Sequence, residues 1–339
     1  MTNPADWKPL SPAFTAAIRR YDQAARVRVL GTQRRNAITA PLFHYTNRSG
    51  LSGIITNGEF WFTHYQHLND DKEITFGMEV AKIVLNESGA HFPKARIFCD
   101  LVADLFSPEN LGGAFDFYIG SFSRSRDELH QWKNYAACGQ GFAIGLAPRL
   151  FGIEADRPDQ KPDEIAFISP VSYGDTAARV QLRSAIESAV RIAAETADHK
   201  AAAMQDINRG MPFFRELANR LVGVELILNC LIMKGLSWKP ENEARLFILG
   251  ECANLAPYRL TRERLTCDGS TEIVPYIKHR MPLREPGSIT EILIGSAAPA
   301  DAEDFACSLL APFHSNPRSI IRRSALPATA FDEAHAPQG

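Results

Sequence analysis

The sequence predicts an α+β fold. Strand-like runs occur early, in the middle and again near the end, and two long stretches of helical periodicity, 177–200 and 213–233, stand between the strand sets. That order is too irregular for the strict alternation of a doubly wound sheet.

Residues 1–38 read as a polar, Arg-rich helical lead-in, and the first convincing strand is Pro41 to Thr46. Ser49 or Gly50 opens a short helix through Ile54 and Ile55, which Asn57-Gly58 ends by supplying a left-handed cap. Phe60 to Thr63 is the second strand. His64 to Asp71 is a polar loop, with Asp70 or Asp71 placed to cap a helix from Glu73 to about Asn86. Phe92 to Phe106 reads as a further helix. The middle section is strand, helix, strand: Phe117 to Phe122, Asp127 to Ala137 and Gly141 to Leu146. Glu164 to Tyr173 is another strand, and a helical insertion follows at about 176–234. Strands return at Ala244 to Leu249, Glu272 to Ile277, Glu291 to Ile294 and Ser319 to Arg322, with a helix from Ala300 to Leu310 between the last two. The expected organisation is a helical extension over 1–40, a single α+β domain over 41–328 and a flexible tail over 329–339.

The chain has 339 residues, 45% hydrophobic and 22% charged, ample material for a core. No apolar run approaches the roughly 20 residues that span a bilayer, and the segment with Asp6, Trp7 and Lys8 lacks the core of a signal peptide. A cytoplasmic protein without membrane partners is the expectation. Six cysteines without C-x-x-C spacing indicate neither a zinc site nor a disulfide framework. A formal net charge of -2 offers no global attraction for nucleic acid or an anionic membrane. The Arg clusters near both ends read as solvated helix faces.

The most informative stretch is Trp238-Lys239-Pro240-Glu241-Asn242-Glu243-Ala244-Arg245. On a strand, Glu241 and Glu243 share a face. Two like charges that close sit on a wet edge or face a metal, a cation or a polarised hydroxyl; Glu243 has Arg245 two residues on as a simpler partner. Upstream, Leu42-Phe43-His44-Tyr45-Thr46 carries a histidine on a strand, and Phe117 to Ser123 ends in two hydroxyls, Ser121 and Ser123, on one face. Convergence of these groups would make a cleft. Tyr45, Trp61, Phe62 and Tyr65 are near enough to wall it, although core packing is the ordinary role of Trp61 and Phe62. Asn69, Asp70 and Glu73 read as a turn and cap, or as a lid.

Phe43-His44-Tyr45-Thr46, Leu68-Asn69-Asp70 with Glu73, Ser121-Phe122-Ser123 with Asp127, Trp132, Tyr135 and Gly141, and Lys234, Trp238, Glu241, Glu243 and Arg245 together resemble an uncharacterised bacterial family, the domain of unknown function DUF2971. The segments from Ile292 to Gly295 and from Ser324 to Pro327 extend the likeness, which spans about 41–328. More distantly, the order His44, Ser121 with Ser123, Glu243 resembles ADP-ribosyltransferases. That resemblance implies a split mixed and antiparallel sheet with NAD as co-substrate and no metal. It implies that His44 bonds the nicotinamide-side ribose or the carboxamide surroundings, that Ser121 orients the ribose and that Glu243 holds its 2'-hydroxyl. Tyr45, Thr46, Ser123, Trp61 and Tyr65 would line the NAD site, and Glu241 would face the acceptor.

A fixed carboxylate suits that chemistry because cleavage of the nicotinamide bond passes through an oxocarbenium-like cation. The acceptor, whether protein, nucleic acid, small molecule or water, is not written in the sequence; a toxin or phage-defence effector is the kind of role such a chain would serve. Two alternatives stand beside this reading: a metal-dependent nuclease using His44, Asp70, Glu241 and Glu243, and a non-catalytic nucleotide- or partner-binding module in which Glu243 only pairs with Arg245.

Overall fold

The computed structural model describes residues 10–68, 73–107, 115–151, 165–199, 207–265 and 271–335. It is a mixed α+β molecule whose chain divides into two compact units. Among the described residues, those up to 35, from 73 to 107 and from 172 to 236 form a helical unit, and the others form a β-rich unit. No helix among them is long and apolar enough to cross a membrane.

The helical unit comprises α1 (Pro12–Arg35), α3 (Glu73–His91), α4 (Arg96–Leu105), α6 (Asp175–His199), α7 (Ile207–Arg220) and α8 (Ile227–Cys230), with a short parallel pair, β6 (Ser172–Tyr173) and β7 (Met233–Lys234). The stretch expected as one helix over 213–233 is instead α7, a π-helical turn at Leu221–Leu226, α8 and β7. The π turn carries buried Glu225, which accepts from the Tyr21 hydroxyl at 2.5 Å and from Arg28 Nε and Nη2 at 2.8 and 2.7 Å. A carboxylate that deep is retained because three charged or hydroxyl donors meet it.

The β-rich unit contains β1 (Leu42–Thr46), α2 (Arg48–Asn57), β2 (Glu59–His64), β3 (Phe115–Ser123), α5 (Leu129–Tyr135), β4 (Phe142–Leu146), β5 (Ile165–Pro170), β8 (Glu243–Glu251), α9 (Cys252–Leu255), β9 (Leu260–Leu265), β10 (Thr271–Arg280), β11 (Ile289–Ile294), α10 (Ala302–Leu310) and β12 (Ile321–Arg323). Asn47 caps α2 by accepting from Gly50 N–H at 2.8 Å, and Gly58, at φ 67°, ends it in the expected left-handed conformation. The strand read as Glu164 to Tyr173 is interrupted at Val171, which separates β5 from β6. Residues 329–335, expected within the flexible tail, belong to a 3-10 segment, Ala328–His335, whose Phe331 is buried against Gly139.

All ten strands of this unit lie in one sheet, antiparallel except for the β11–β12 pair. β3 pairs along its whole length with β8, from Phe115↔Glu251 to Ser123↔Glu243, and β5 covers the far edge of β8. The other edge of β3 is shared. β2 takes Tyr118 and Ile119, β1 takes Ser123, and between those positions no strand among the described residues pairs with that edge. The sheet therefore divides there into two arms, β1-β4-β11-β12 and β2-β10-β9.

Strand alternation sorts the side chains onto two faces. Leu42, Phe62, Tyr118, Phe122, Phe142, Ile144, Leu246, Ile248 and Ile292 build the main core with α2 and α10. On the opposite face a smaller cluster, Phe43, Tyr45, Trp132, Ala143 and Leu293, lies beneath α5.

Candidate functional site

The approach to β8 is a 3-10 turn, Leu236–Glu241, followed by Asn242 at φ 45°. Glu241 is therefore not on a strand with Glu243, contrary to the sequence expectation. Pro240 cannot donate to a ladder, and a left-handed Asn242 turns the chain before β8 begins. Asn242 is held by its N–H to the Lys239 carbonyl at 3.1 Å, by Arg124 N–H to its own carbonyl at 2.8 Å and by its amide to Ser125 Oγ at 3.0 Å. Glu241, 2% exposed, accepts the Tyr135 hydroxyl at 2.8 Å on its carboxylate. Its carbonyl accepts from Ser123 Oγ at 2.9 Å and Gln131 Nε2 at 3.1 Å.

The β3–β8 register sets Ser123 opposite Glu243 and Ser121 opposite Arg245, all four on the face beneath α5. Arg245 grips Glu243 in bidentate fashion, Nε to Oε1 at 2.9 Å and Nη2 to Oε2 at 3.2 Å, with the two residues 1% and 4% exposed. Ser121 beside them is exposed. Ser123 is buried and does not cap α5; Glu128 does, accepting from His130 N–H at 3.5 Å.

His44 is placed differently. It shares a face with Leu42, away from the side chains of Ser121 and Glu243, and its ring meets Phe60 edge-on at 5.2 Å and Phe122 at 5.7 Å. Its Nδ1 donates to the Ser121 backbone carbonyl at 3.2 Å, across the division of the sheet. Burial lowers its pKa, opposed in part by that bond. The imagined convergence of three side chains is thus only partial: Ser121, Ser123 and Glu243 come together, and His44 reaches them through a backbone atom.

The expected lining residues also separate. Tyr45 is buried under Trp132, with its hydroxyl donating to Ser125 O and accepting from Glu128 N–H, both at 3.1 Å; burial raises its pKa. Thr46 lies at the turn into α2, close beneath Gly50. Phe62 is core, closely covering Gly120. Trp61, on the same face as Ser121, is 48% exposed and stacks on Tyr276 at 4.6 Å. Tyr65 is buried against His64 and Phe117. Asn69 and Asp70 lie outside the described residues, as does the Glu73 side chain, so the lid reading has no counterpart there. Among the described residues no three His, Cys, Asp or Glu are gathered to hold a metal ion; His44 and Glu243 lie on opposite faces of the sheet, and Asp70 of the nuclease alternative lies outside the described residues.

Sequence reasoning missed several supports. Gln131 carried no local signal, since its partner is a carbonyl over a hundred residues away. Asp127 fixes the start of α5, accepting from Trp132 Nε1 at 2.6 Å, Ser324 Oγ at 2.7 Å and Ala325 N–H at 2.7 Å. A second polar cluster joins His64, whose Nε2 donates to Asp116 at 3.1 Å, with Arg259, which binds both Asp116 and the Tyr118 hydroxyl.

Fold and site together define a mixed α+β protein with an open, mostly antiparallel sheet and a buried carboxylate–guanidinium centre on its middle ladder. The model of a family described as Protein of unknown function (DUF2971) matches residues 131–246, a span that begins on α5 and ends just past Arg245. No curated protein and no solved structure matches the chain.

Proposed function

We propose that the chain cleaves NAD at the nicotinamide–ribose bond and passes ADP-ribose to an acceptor or to water, on a sheet of ADP-ribosyltransferase type. The observation that carries this reading is the division of the sheet beside Ser121, with Glu243 on the adjoining strand. A division between two arms beside an exposed hydroxyl, with a fixed carboxylate on the adjoining strand, suits a ribose flanked by a flat leaving group.

In this reading Ser121 orients the ribose and Glu243, clamped by Arg245, holds the 2'-hydroxyl. As the C1'–N1 bond breaks, both electrons leave with neutral nicotinamide, and the carboxylate stabilises positive charge growing on the ribose. An acceptor lone pair then closes on C1' and its proton passes to solvent or to a nearby base. His44 acts as a positioning residue through the Ser121 carbonyl, and Glu241 stands on the acceptor side.

The bidentate pair itself favours a second reading, a nucleotide- or partner-binding module in which Glu243 serves only Arg245. Nicotinamide release from NAD by the wild type and by Glu243→Gln, in buffer and with cell lysate, with mass spectrometry for added ADP-ribose, separates the two. Release that Glu243→Gln abolishes is expected. Absence of release from a folded wild type in both conditions leaves the binding module.

A further inference from the structure

On the β2-β10-β9 arm, Trp61, Thr63, Tyr276 and Arg262 share one face, since Thr63 pairs with Tyr276 and Arg262 with Val274. Trp61 and Tyr276 form a stack with rings 28° apart, and the Arg262 guanidinium lies 5.8 and 5.9 Å from their centroids. Nearby cations have carboxylates: Arg264 binds Glu272 at 2.7 Å, while Lys278 and Arg280 reach Glu59 at 3.2 and 3.1 Å. Arg262 does not. Among the described residues its hydrogen-bond partner is the Thr63 hydroxyl at 3.3 Å, and its buried Nε has none. Burial lowers its pKa, Arg264 adds to that, and Tyr276 opposes both.

A partly buried guanidinium without a counter-charge, set against an exposed tryptophan, asks for an anion joined to a flat ring. We infer that this face binds a nucleotide, with Trp61 stacking the base and Arg262, beside Thr63, receiving the phosphate. The inference rests on this arm alone and stands whether or not the chain cleaves NAD. Trp61 lies on the same face as Ser121, so a nucleotide here would sit beside the division of the sheet.

The test is equilibrium binding of AMP, NAD and a short 5'-phosphorylated single-stranded oligonucleotide to the full chain, followed by calorimetry. Trp61→Ala is expected to weaken AMP by about 5- to 150-fold, the affinity equivalent of one base stack. Arg262→Gln weakens it comparably and Trp61→Phe restores most of the loss; AMP carries no nicotinamide, which keeps this test separate from nicotinamide release. A steep salt dependence with tighter oligonucleotide binding identifies a strand as the source, and equal, salt-shallow binding of AMP and NAD identifies a free mononucleotide. Absence of binding by all three probes, or AMP affinity untouched by both Trp61→Ala and Arg262→Gln, overturns the inference. Unchanged thermal unfolding of each variant shows that a loss is local.

Discussion

Removing Arg245 alone should cost far more than removing the whole Glu243–Arg245 pair. Both residues are nearly inaccessible, at 1% and 4%, so solvent screens neither charge, and the two contacts of 2.9 and 3.2 Å leave little slack. Arg245→Met takes the bidentate cation from the Glu243 carboxylate, at roughly 3–5 kcal/mol for a buried pair broken on one side. Glu243→Gln takes the carboxylate from the guanidinium at a similar cost. The double variant Glu243→Gln with Arg245→Met removes both charges and should recover most of that, giving a coupling of about 2 kcal/mol or more. Denaturant unfolding followed by tryptophan emission in a Trp7→Phe background is the assay, because the three remaining tryptophans, Trp61, Trp132 and Trp238, all belong to the β-rich unit. Reporting on one unit matters in a chain with two, where a single global transition is not assured. Strictly additive losses, with a coupling below about 0.5 kcal/mol, would refute the claim that the pair acts as a unit.

Other expectations test the frame around it. A Cβ at Gly120 would come within 2.3 Å of the Phe62 ring, so Gly120→Ala should destabilise by about 1–3 kcal/mol, and adding Phe62→Leu should recover part of it; a neutral Gly120→Ala refutes the contact. Asp127→Asn should cost about 2–3 kcal/mol in the same assay, because three donors lose a charged acceptor at the start of α5; a loss under about 0.5 kcal/mol would contradict that anchoring. Burial lowers the pKa of both His44 and His64 from 6.5, so the unfolded chain takes up protons first as pH falls. Their contribution is complete above about pH 6.5 and declines below it, by at most ~1.4 kcal/mol per pH unit for each histidine. Asp116, which faces His64 together with Arg259 and His67, limits but does not reverse this decline. Unfolding midpoints at about pH 7.5 and 5.5 check it, with a flat profile as the contrary result.

What was readable in the sequence was what a single segment encodes. The alternation in β1 and β3 and the Asn57-Gly58 stop are local, and they appear where expected. Face and register are not local. Whether His44 joins Ser121 depends on Phe43 meeting Ser123; a slip of one residue would move the histidine to the other face, and nothing in either strand declares which pairing wins. Glu241 failed for a different reason: Glu-x-Glu looks like strand alternation only if Pro240 and a left-handed Asn242 are ignored. Arg262 stayed invisible because β9, Leu-Thr-Arg-Glu-Arg-Leu, carries charge where a strand signal needs apolar residues; its cross-strand partners on β10 supply the order.

The matched family segment, 131–246, contains most of α5 and the start of β8 but neither β1 nor β2. Within that segment Gln131 and Tyr135 both bond Glu241, one through the carbonyl and one through the carboxylate, and Arg245 bonds Glu243. The first two links run from α5 to the entrance of β8, with Ser123 of β3 joining from outside, and the third lies just inside the strand. A network of that kind specifies how α5 seats over β8, whatever the arms do. β3 and the β2-β10-β9 arm supply what it lacks, an exposed surface: Ser121 opposite Arg245, and Trp61 on the same face. Chemistry at this site would therefore take its rigidity from the matched segment and its access from the division of the sheet. Substitutions in the α5–β8 network should accordingly register first as stability, and those at Ser121 and Trp61 as binding.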